Sequence, residues 1–306
     1  MQPRTTPGIT VPSRDDVAVV VVTFYPDASF TERVKTLTDQ FAMVIIVDNS
    51  GPAAGDIAQL EQQHLQTIAN SENVGLGRAL NMGCDRAREL GFNWAVTLDQ
   101  DTVLAPDYLP SMLAAWTMLP TATPILGCNY FNVSRSAYRF TPSQTPHAKQ
   151  ALTTITSGCL THLPTWAVLG KFREDYFIDS IDHEFCLRAR KAGYPIAVNQ
   201  QPLMNHTIGE NTHALKLLGK LKPYTHSVWR TYTTTRNTLR TMVVYAGSEP
   251  AWCIKKTVGL VLEFLAIIFF ERQKNARIRA FSLGIRDGYR NKMGAPGQHV
   301  MNLDKP

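Results

Sequence analysis

The stretch that decides the fold is Trp94-Ala95-Val96-Thr97-Leu98-Asp99-Gln100-Asp101. Its first five residues are a short apolar run that predicts a buried strand, and two carboxylates follow where that strand ends. In open parallel α/β sheets the ligand binds at the carboxyl ends of the strands. Carboxylates separated by one residue can share a hard divalent cation that also holds a diphosphate. The alternative is a solvated turn, because Asp-x-Asp arises by chance about once in a chain of this size.

Strands and helices alternate on the N-terminal side of this stretch. The predicted elements are a strand at 17–22, a helix to about residue 40, a strand at 43–47, a helix at 57–64, a strand at 65–69 and a helix at 75–90. This order predicts a doubly wound, Rossmann-like α/β domain with a mostly parallel central sheet flanked by helices. No Gly-x-Gly-x-x-Gly or Walker lysine loop follows the first strand, which disfavours dinucleotide oxidoreductases and P-loop enzymes.

The rest of the chain divides into a short tail and a helical end. Residues 1–16 contain no apolar signal core, so secretion by a signal peptide is not expected. Residues 17–223 form the predicted catalytic domain, with short strand-like pieces at 124–156 that indicate a change of sheet direction. Residues 224–306 are predicted to be wholly helical. Five cysteines without a Cys-x-x-Cys pair favour the reducing cytosol.

Charge and hydropathy suggest anionic partners. The chain has 31 Lys and Arg against 25 Asp and Glu, a net charge of +6, which does not by itself name a partner. An apolar stretch at 258–270 is interrupted by Glu263 and is shorter than the about 20 residues that span a bilayer. Lys255 and Lys256 precede it, a pattern typical of a helix in a membrane interface. Burial of this helix against the domain is the alternative.

Two further polar positions accompany the strand that ends at Asp99. Asp48 ends the second predicted strand, so its carboxylate is expected at the same edge of the sheet. It could accept from a pyrimidine N–H or a ribose hydroxyl, or it could cap the next helix. Asn73 and Gly75 place an amide and a glycine at a helix start, where the backbone can approach a phosphate. Helix initiation alone could also explain Asn73.

Three acids, Asp179, Asp182 and Glu184, lie at the start of a predicted helix. The helix macrodipole stabilises acids at this position, so capping is one interpretation. A general base is the other, because a carboxylate that faces a bound cation and an incoming hydroxyl can take up a proton. Farther along, Arg236 has the planar fork suited to a diphosphate or to the phosphate of a lipid-linked acceptor.

Taken in order, the motifs resemble those of the family 2 glycosyltransferases with the GT-A fold, and within them the bacterial rhamnosyltransferases of polysaccharide and O-antigen assembly. The resemblance covers residues 17 to about 237. It is carried by Val-Thr-Phe-Tyr-Pro, Val-Asp-Asn-Ser, Asn-x-Gly-Leu-Gly-x-Ala-x-Asn-x-Gly, Leu-Asp-Gln-Asp, Ser-Gly-Cys-Leu, Phe-Ile-Asp-x-x-Asp-x-Glu-Phe-Cys-Leu-Arg and His-Thr-Ile-Gly. It implies a GT-A fold with a helical C-terminal extension, a nucleotide-sugar donor and Mg²⁺ or Mn²⁺.

The resemblance also implies roles for single residues. Asp101 and His206 would bind the metal, and Asp182 would be the catalytic base. Asp179 and Glu184 stay open as alternative bases, because Ile181-Asp182 replaces the usual Glu-Asp pair. The implied nucleotide-sugar ligands are Thr23, Tyr25, Asp48, Asn73, Gly75, Asp99, Gln100 and Arg236. The implied acceptor contacts are Ser157, Gly158, Asp179 and Glu184.

The resulting hypothesis is an inverting, metal-dependent transferase that moves L-rhamnose from dTDP-β-L-rhamnose to a saccharide acceptor. A lipid-linked acceptor is favoured, with the protein peripheral on the inner face of a bacterial plasma membrane and without a nucleic-acid partner. The alternatives are another nucleotide sugar, or a nucleotide-binding membrane-surface protein without catalysis, which would not need both Asp101 and Asp182. A nucleotidyltransferase is disfavoured because no glycine-rich basic loop follows the first strand.

Overall fold

Strand β1, Val17–Thr23, lies at the centre of a parallel sheet region, and all seven of its residues are buried. It pairs in parallel with β2, Met43–Asp48, on one side and with β4, Trp94–Asp99, on the other. Strand β3, Leu65–Ala69, extends the sheet beyond β2. β-Branched residues suit such a strand because their stiff side chains pack well on a pleated surface covered on both faces. The four strands predicted from the sequence are confirmed.

The sheet becomes mixed beyond β4. Its other strands are β5 Val103–Leu104, β6 Ile125–Asn132, β7 Ala137–Tyr138, β8 Ala148–Gln150, β9 Cys159–His162 and β10 Ile196–His206. The strand order is β3-β2-β1-β4-β9-β6-β10-β5, with β7 paired to β6 and β8 to β10. Strand β9 runs antiparallel to both β4 and β6, whereas β10 runs parallel to β6. The change of sheet direction predicted at 124–156 is seen in β7 and β8, which run antiparallel to their partners, and β9 just after that range is antiparallel as well.

The structure, a computed structural model, describes residues 8–52, 64–133, 136–206, 227–271 and 273–304. The predicted helix at 57–64 falls almost wholly outside these residues. The chain folds as two units, one comprising Met1–Glu174 and Phe185–Thr207 and the other Asp175–Glu184 and Ile208–Pro306. The first unit, which we call the sheet unit, contains all ten strands named above. The second we call the helical unit.

Among the described residues, four helices accompany the strands within the sheet unit. They are α1 Phe30–Gln40, α2 Leu76–Glu89, α3 Tyr108–Thr117 and α4 Leu163–Val168. Helix α2 packs so closely on β1 that a Cβ added to Gly83 would overlap Cγ1 of Val20. Glycine at this helical position therefore allows the backbone to approach the sheet.

The helical unit is built from the predicted C-terminal helices. Helix α5, Ile181–Lys191, begins in this unit and ends in the sheet unit, and the others are α6 Val228–Tyr245, α7 Pro250–Phe270, α8 Lys274–Tyr289 and α9 Gln298–Met301. Helices α6 and α8 touch through two glycines one turn apart. A Cβ on Gly284 would lie 2.8 Å from the Tyr232 carbonyl oxygen, and one on Gly288 would lie 2.5 Å from that of Arg236. Larger residues would push these helices apart.

Helix α7 has apolar residues on both of its faces. Trp252, Cys253, Ala266 and Ile267 are buried. The exposed apolar side chains recur at helical spacing on the opposite side, and we call them the α7 face: Ile254, Val258, Val261, Leu262, Leu265 and Phe269. In the described part of the chain, no helix combines the length and the hydropathy that crossing a bilayer requires.

A partly buried carboxyl group, that of Glu263, lies on α7. Burial raises its pKa from 4.5 to about 7, and the negative charges of Asp179 and Glu271 raise it as well. The positive charges of Arg277 and Lys256 act in the opposite direction. The surroundings of α7 therefore favour the protonated form of Glu263.

Candidate functional site

A tight turn presents the two carboxylates that follow β4. The N–H of Thr102 donates to the carbonyl oxygen of Asp99 at 3.2 Å, so that Gln100 and Asp101 lie at the centre of the turn. Strand β5 follows directly and pairs antiparallel with the end of β10, in the register Leu104 to Met204. This pairing brings the last residue of β10 beside the turn.

That last residue, His206, completes a cluster with Asp99 and Asp101. One ligand atom from each residue lies within 4.8 Å of the others. His206 Nε2 is 3.7 Å from Asp99 Oδ2, and Nδ1 is 3.9 Å from Asp101 Oδ1. The histidine side chain is 9% exposed, whereas the carboxylates are 36% and 45% exposed, so the cluster opens on the carboxylate side. Two hard oxygen ligands and one imidazole nitrogen form a donor set that suits a divalent cation such as Mn²⁺.

Asp99 was predicted to contact the nucleotide sugar, and its geometry adds it to the ligand cluster. Two buried hydroxyl groups support this cluster: Ser157 Oγ accepts from the N–H of Asp99 at 3.1 Å and lies 2.7 Å from Thr102 Oγ1. Thr102 Oγ1 in turn lies 3.1 Å from His206 Nδ1. Thr102 was missed in the sequence analysis, although its place directly after Asp-Gln-Asp was the available signal.

The predicted acceptor contacts at Ser157 and Gly158 do not fit their positions. Ser157 is 1% exposed and its hydroxyl is occupied by the contacts just described. Gly158 has a φ of +68°, donates its N–H to the Thr97 carbonyl oxygen at 2.8 Å, and is so close to Met204 that a Cβ would lie 2.5 Å from its Sδ. We therefore assign both residues to the support of the cluster and not to acceptor binding.

Asp48 lies at the end of β2, as predicted, and its carboxylate accepts hydrogen bonds from three donors. Its Oδ1 accepts from Thr23 Oγ1 at 2.8 Å, from Ser50 Oγ at 2.6 Å and from the Ser50 N–H at 3.2 Å. Thr23 is completely buried, so its hydroxyl orients Asp48 and does not meet a ligand. Ser50, which was not predicted, also accepts from the N–H of Tyr25 at 2.7 Å. It therefore links the ends of β1 and β2.

The loop after β1 is fixed by Gln100. The backbone N–H of Phe24 donates to Gln100 Oε1 at 2.7 Å, and Gln100 Nε2 donates back to the Phe24 carbonyl oxygen at 3.2 Å. The Gln100 side chain, which was predicted to bind the nucleotide sugar, is thus hydrogen-bonded to the backbone of Phe24. The rings of Phe24 and Tyr25 are 48% and 59% exposed and form an edge-to-face pair with centroids 4.7 Å apart. Tyr25 has a φ of +47°, which is costly for a non-glycine residue.

Asn73 and Gly75 lie where α2 begins. Asn73 Oδ1 accepts from the N–H of Gly75 at 2.9 Å, a local turn that explains the asparagine by loop geometry. Gly75 has a φ of +86° and is buried, so its backbone requires a residue without a side chain. Asn49, which was not predicted, donates its amide to the Gly75 carbonyl oxygen at 3.4 Å. The end of β2 and the start of α2 are thereby joined.

The helical unit contains the three acids that were considered as the base. Asp179 accepts from Arg230 at 2.7 Å and from the hydroxyls of Thr233 and Thr234 at 2.8 Å and 3.1 Å. Glu184 is 3% exposed and accepts from the Tyr245 hydroxyl at 2.9 Å. These contacts give both carboxylates a role in packing the unit, in place of the predicted acceptor contacts.

Asp182 differs from the other two acids. It is partly exposed, and its Oδ1 accepts from the N–H of His183 at 2.7 Å, within the first turn of α5. Of the three acids, Asp182 is the one whose described contacts are local to its own helix.

Arg236, which was predicted to hold the diphosphate, is buried within the helical unit. It is 1% exposed, and its guanidinium donates to Asn237 Oδ1 at 2.9 Å and to the carbonyl oxygens of Gly294 and Tyr176 at 2.8 Å and 3.2 Å. Its Cζ also lies 5.1 Å from the centroid of the Tyr232 ring. The diphosphate assignment is therefore replaced by a structural one, because these contacts occupy the planar fork.

Comparison with known proteins places the chain in a family. The profile of Glycosyl transferase family 2 matches residues 18–179, more than half of the chain. The chain belongs to glycosyltransferase family 2. This family 2 glycosyltransferase is 25% identical over 296 residues to the dTDP-rhamnosyl transferase RfbF of Shigella flexneri. That alignment covers 91% of this chain and 97% of the relative, and it confirms the predicted resemblance to rhamnosyltransferases.

Two solved structures are similar to this family 2 glycosyltransferase in fold. One is S. aureus TarS 1-349 in complex with UDP-GlcNAc, with a TM-score of 0.58, 14% identity, and coverage of 94% of this chain and 83% of that one. The other is GalNAc-T7 with UDP, GalNAc and Mn²⁺, with a TM-score of 0.56 and 12% identity. The match covers 76% of this chain and 48%, about half, of GalNAc-T7. The predicted GT-A fold with a helical C-terminal region is confirmed.

Proposed function

We propose that this glycosyltransferase moves L-rhamnose from dTDP-β-L-rhamnose to a saccharide hydroxyl, with inversion and with a divalent cation held by Asp99, Asp101 and His206. The observation that carries the proposal is the convergence of three ligand atoms within 4.8 Å at the carboxyl end of β4. The donor rests on the similarity to the dTDP-rhamnosyl transferase RfbF. Another nucleotide sugar is the alternative.

The ligand set is suited to Mg²⁺ or Mn²⁺, and its imidazole favours Mn²⁺, because Mg²⁺ in proteins is bound mainly by oxygen. A bound cation would neutralise the charge on the departing nucleotide diphosphate. The buried hydroxyls of Thr102 and Ser157 hold two of the ligands in place before any substrate arrives. Such preorganisation lowers the cost of reorganisation during the reaction.

Asp182 is proposed as the general base. The acceptor oxygen forms a bond to the anomeric carbon while the bond from that carbon to the diphosphate breaks, and the acceptor proton passes to the Asp182 carboxylate. Asp179 and Glu184 are less suited to this role, because hydrogen bonds within the helical unit already occupy their carboxylates. A single displacement of this kind inverts the anomeric configuration.

Donor binding is assigned to the ends of β1 and β2 and to the start of α2. Asp48 is oriented by Thr23 and Ser50 to accept hydrogen bonds from the nucleoside. The exposed ring of Tyr25 offers an apolar surface on the loop after β1, where the Tyr25 N–H donates to Ser50, and Gly75, at the start of α2, has no side chain. Gln100 supports this region by fixing the loop and not by direct contact.

Release of free nucleoside diphosphate from a panel of nucleotide sugars, with and without EDTA, tests the reaction. We expect acceptor-dependent release of dTDP from dTDP-β-L-rhamnose that stops with EDTA. Asp182→Asn should lower turnover by a factor of about 10² or more and leave donor binding by calorimetry intact. The matched control is Asp39→Asn, an exposed acid on α1. Normal turnover of Asp182→Asn would remove Asp182 from its role.

The same assay separates the other functions that the sequence allows. Binding of dTDP-β-L-rhamnose without release of product under any condition would favour a nucleotide-binding protein without catalysis. Consumption of pyrophosphate would favour a nucleotidyltransferase. Release from a different nucleotide sugar would retain the transferase and change the donor.

The acceptor is proposed to be lipid-linked, with the chain peripheral on the inner face of a bacterial plasma membrane. The α7 face supports this location, because six large apolar side chains on one side of a helix are exposed. The charge of this region supports the same location, because residues 224–306 contain 13 Lys and Arg against five Asp and Glu. Lys255 is exposed at the edge of the α7 face. An anionic lipid surface complements both properties.

Flotation with vesicles tests this surface. The full chain should bind vesicles that contain phosphatidylglycerol and bind poorly to pure phosphatidylcholine. The triple variant Ile254→Ser, Val261→Ser, Phe269→Ser should bind at least tenfold more weakly, because inserting each side chain contributes roughly 1 kcal/mol. Val11→Ser with Met118→Ser, two equally exposed apolar residues of the sheet unit, is the control. Unchanged binding of the triple variant would exclude the α7 face.

A further inference from the structure

Two buried hydroxyl groups join two of the three residues proposed to bind the metal. The contacts run from the Asp99 N–H to Ser157 Oγ at 3.1 Å, from there to Thr102 Oγ1 at 2.7 Å, and on to His206 Nδ1 at 3.1 Å. Ser157 is 1% exposed and Thr102 is 5% exposed. Neither hydroxyl is placed to act as a ligand itself, because burial keeps both behind the carboxylates.

The direction of these hydrogen bonds follows from what a metal requires of histidine. A nitrogen that binds a cation must present a lone pair, so the ring proton is carried by the other nitrogen. Nδ1 has Thr102 Oγ1 at hydrogen-bonding distance, whereas Nε2 lies on the side of Asp99 Oδ2, 3.7 Å away. With the proton on Nδ1, His206 donates to Thr102, and the Thr102 hydroxyl donates to Ser157. Ser157 Oγ then accepts from Thr102 and from the Asp99 N–H.

We propose that Thr102 and Ser157 are positioning residues that hold His206 with its proton on Nδ1, so that Nε2 is presented to the cation together with the Asp99 carboxylate. The inference rests on the metal site of the proposed function and extends it to two residues that do not touch the metal. Partners of ligating histidines typically change metal affinity by 10–100-fold when they are removed.

The affinity of the isolated protein for Mn²⁺, measured by electron paramagnetic resonance without any sugar nucleotide, tests the proposal. Thr102→Val keeps the shape of the side chain and removes the hydroxyl, and it should weaken Mn²⁺ binding by about 10-fold or more. Thr102→Ser keeps the hydroxyl and should bind Mn²⁺ within about threefold of the unchanged protein. Thr123→Val, which removes another buried hydroxyl of the sheet unit, should have no effect.

A double-mutant cycle separates positioning of His206 from general damage. In a His206→Ala background, Thr102→Val should cause little further loss, because the histidine that it positions is gone. The ¹⁵N resonances of His206 in the Mg²⁺-loaded protein should show the proton on Nδ1. If Thr102→Val fails to fold, Ser157→Ala provides the same comparison from the other end of the hydrogen-bonded chain.

The possible failures are distinguishable. Weaker Mn²⁺ binding in His206→Ala but unchanged binding in Thr102→Val and Ser157→Ala would overturn the positioning role and leave the metal site standing. Unchanged binding in His206→Ala would overturn the metal assignment of His206 and the positioning role with it. Equal losses from Thr102→Val with and without His206 would show that the hydroxyl does not act through the histidine and would overturn the positioning role.

Discussion

Asn237 of α6 should be one of the most sensitive positions of the helical unit, although it was not itself predicted as a site residue. It is completely buried, and its amide nitrogen lies 2.9, 2.7 and 3.0 Å from the carbonyl oxygens of Tyr176, Ile178 and Asp179. Phe177, Asp179 and Ser180, in the same segment, have positive φ values of 63°, 70° and 60°. Such conformations cost about 1 kcal/mol or more each in non-glycine residues and must be held by their surroundings.

Asn237→Ala removes both amide donors from the three carbonyl groups. Counting about 1 to 1.5 kcal/mol for each of two to three hydrogen bonds, the free energy of unfolding of this unit should fall by about 3 kcal/mol. Hydrogen exchange of the peptide at 175–184, measured by mass spectrometry, should accelerate by about 100-fold. Asn275→Ala, at an exposed position of α8, is the control and should change stability by less than about 0.5 kcal/mol. Equal exchange rates in the two variants would refute the reasoning.

Three further perturbations test other parts of the structure. Gly83→Val places a branched side chain against Val20, and we expect the free energy of unfolding in urea to fall by about 3 kcal/mol, whereas an unchanged midpoint would contradict the close packing. Glu263 has a pKa raised from 4.5 to about 7, so its contribution to stability is complete below pH 4.5 and is lost as the pH rises through 7. Glu263→Gln should therefore melt at a higher temperature than the unchanged protein at pH 8, with the difference vanishing near pH 4.5. Gln100→Ala releases the backbone of Phe24 and should raise KM for the donor more than it lowers kcat; an effect on kcat alone would point to direct participation in the reaction.

The parallel half of the sheet could be predicted because its signals are local. Each of β1, β2 and β4 is a short apolar run that stops at a polar residue, and the connections are short enough to fix the order of the elements. Helix α3 was not found, and Pro110 in its first turn obscures the pattern. Proline is tolerated there because the first N–H groups of a helix have no partner within it.

Part of the candidate site was predicted from the sequence. The rest depends on contacts between residues that are far apart along the chain. Asp101 and His206 were proposed from motif order, but the pairing of β5 with β10 that brings them together is not visible in either segment alone. Asp99 could not be separated from Asp101 without the geometry of the turn. The place of Thr102 directly after Asp-Gln-Asp was a weak signal, because threonine at a strand start is ordinary.

Burial accounts for the assignments that changed. Arg236, Glu184 and Asp179 have the side chains of a ligand site, yet each is engaged by neighbours that come from other helices. Sequence gives the chemistry of a charged group but not the direction in which it points around a helix, so an arginine of the interior and one of the surface look alike. The sequence shows a glycine at position 288. It does not show that this glycine lets α8 contact the backbone of Arg236.

The register of β10 bears on how the chain is made. Thr102 and His206 are 104 residues apart, and β10 joins the sheet between β6 and β5. During synthesis, Asp99 and Asp101 leave the ribosome well before their third partner exists. The proposed cation, if it needs all three ligands, would be retained only by a chain whose sheet has closed, and its binding would add to the stability of that state. Metal binding would thus be a late step in the maturation of the protein, after the parallel strands have already formed.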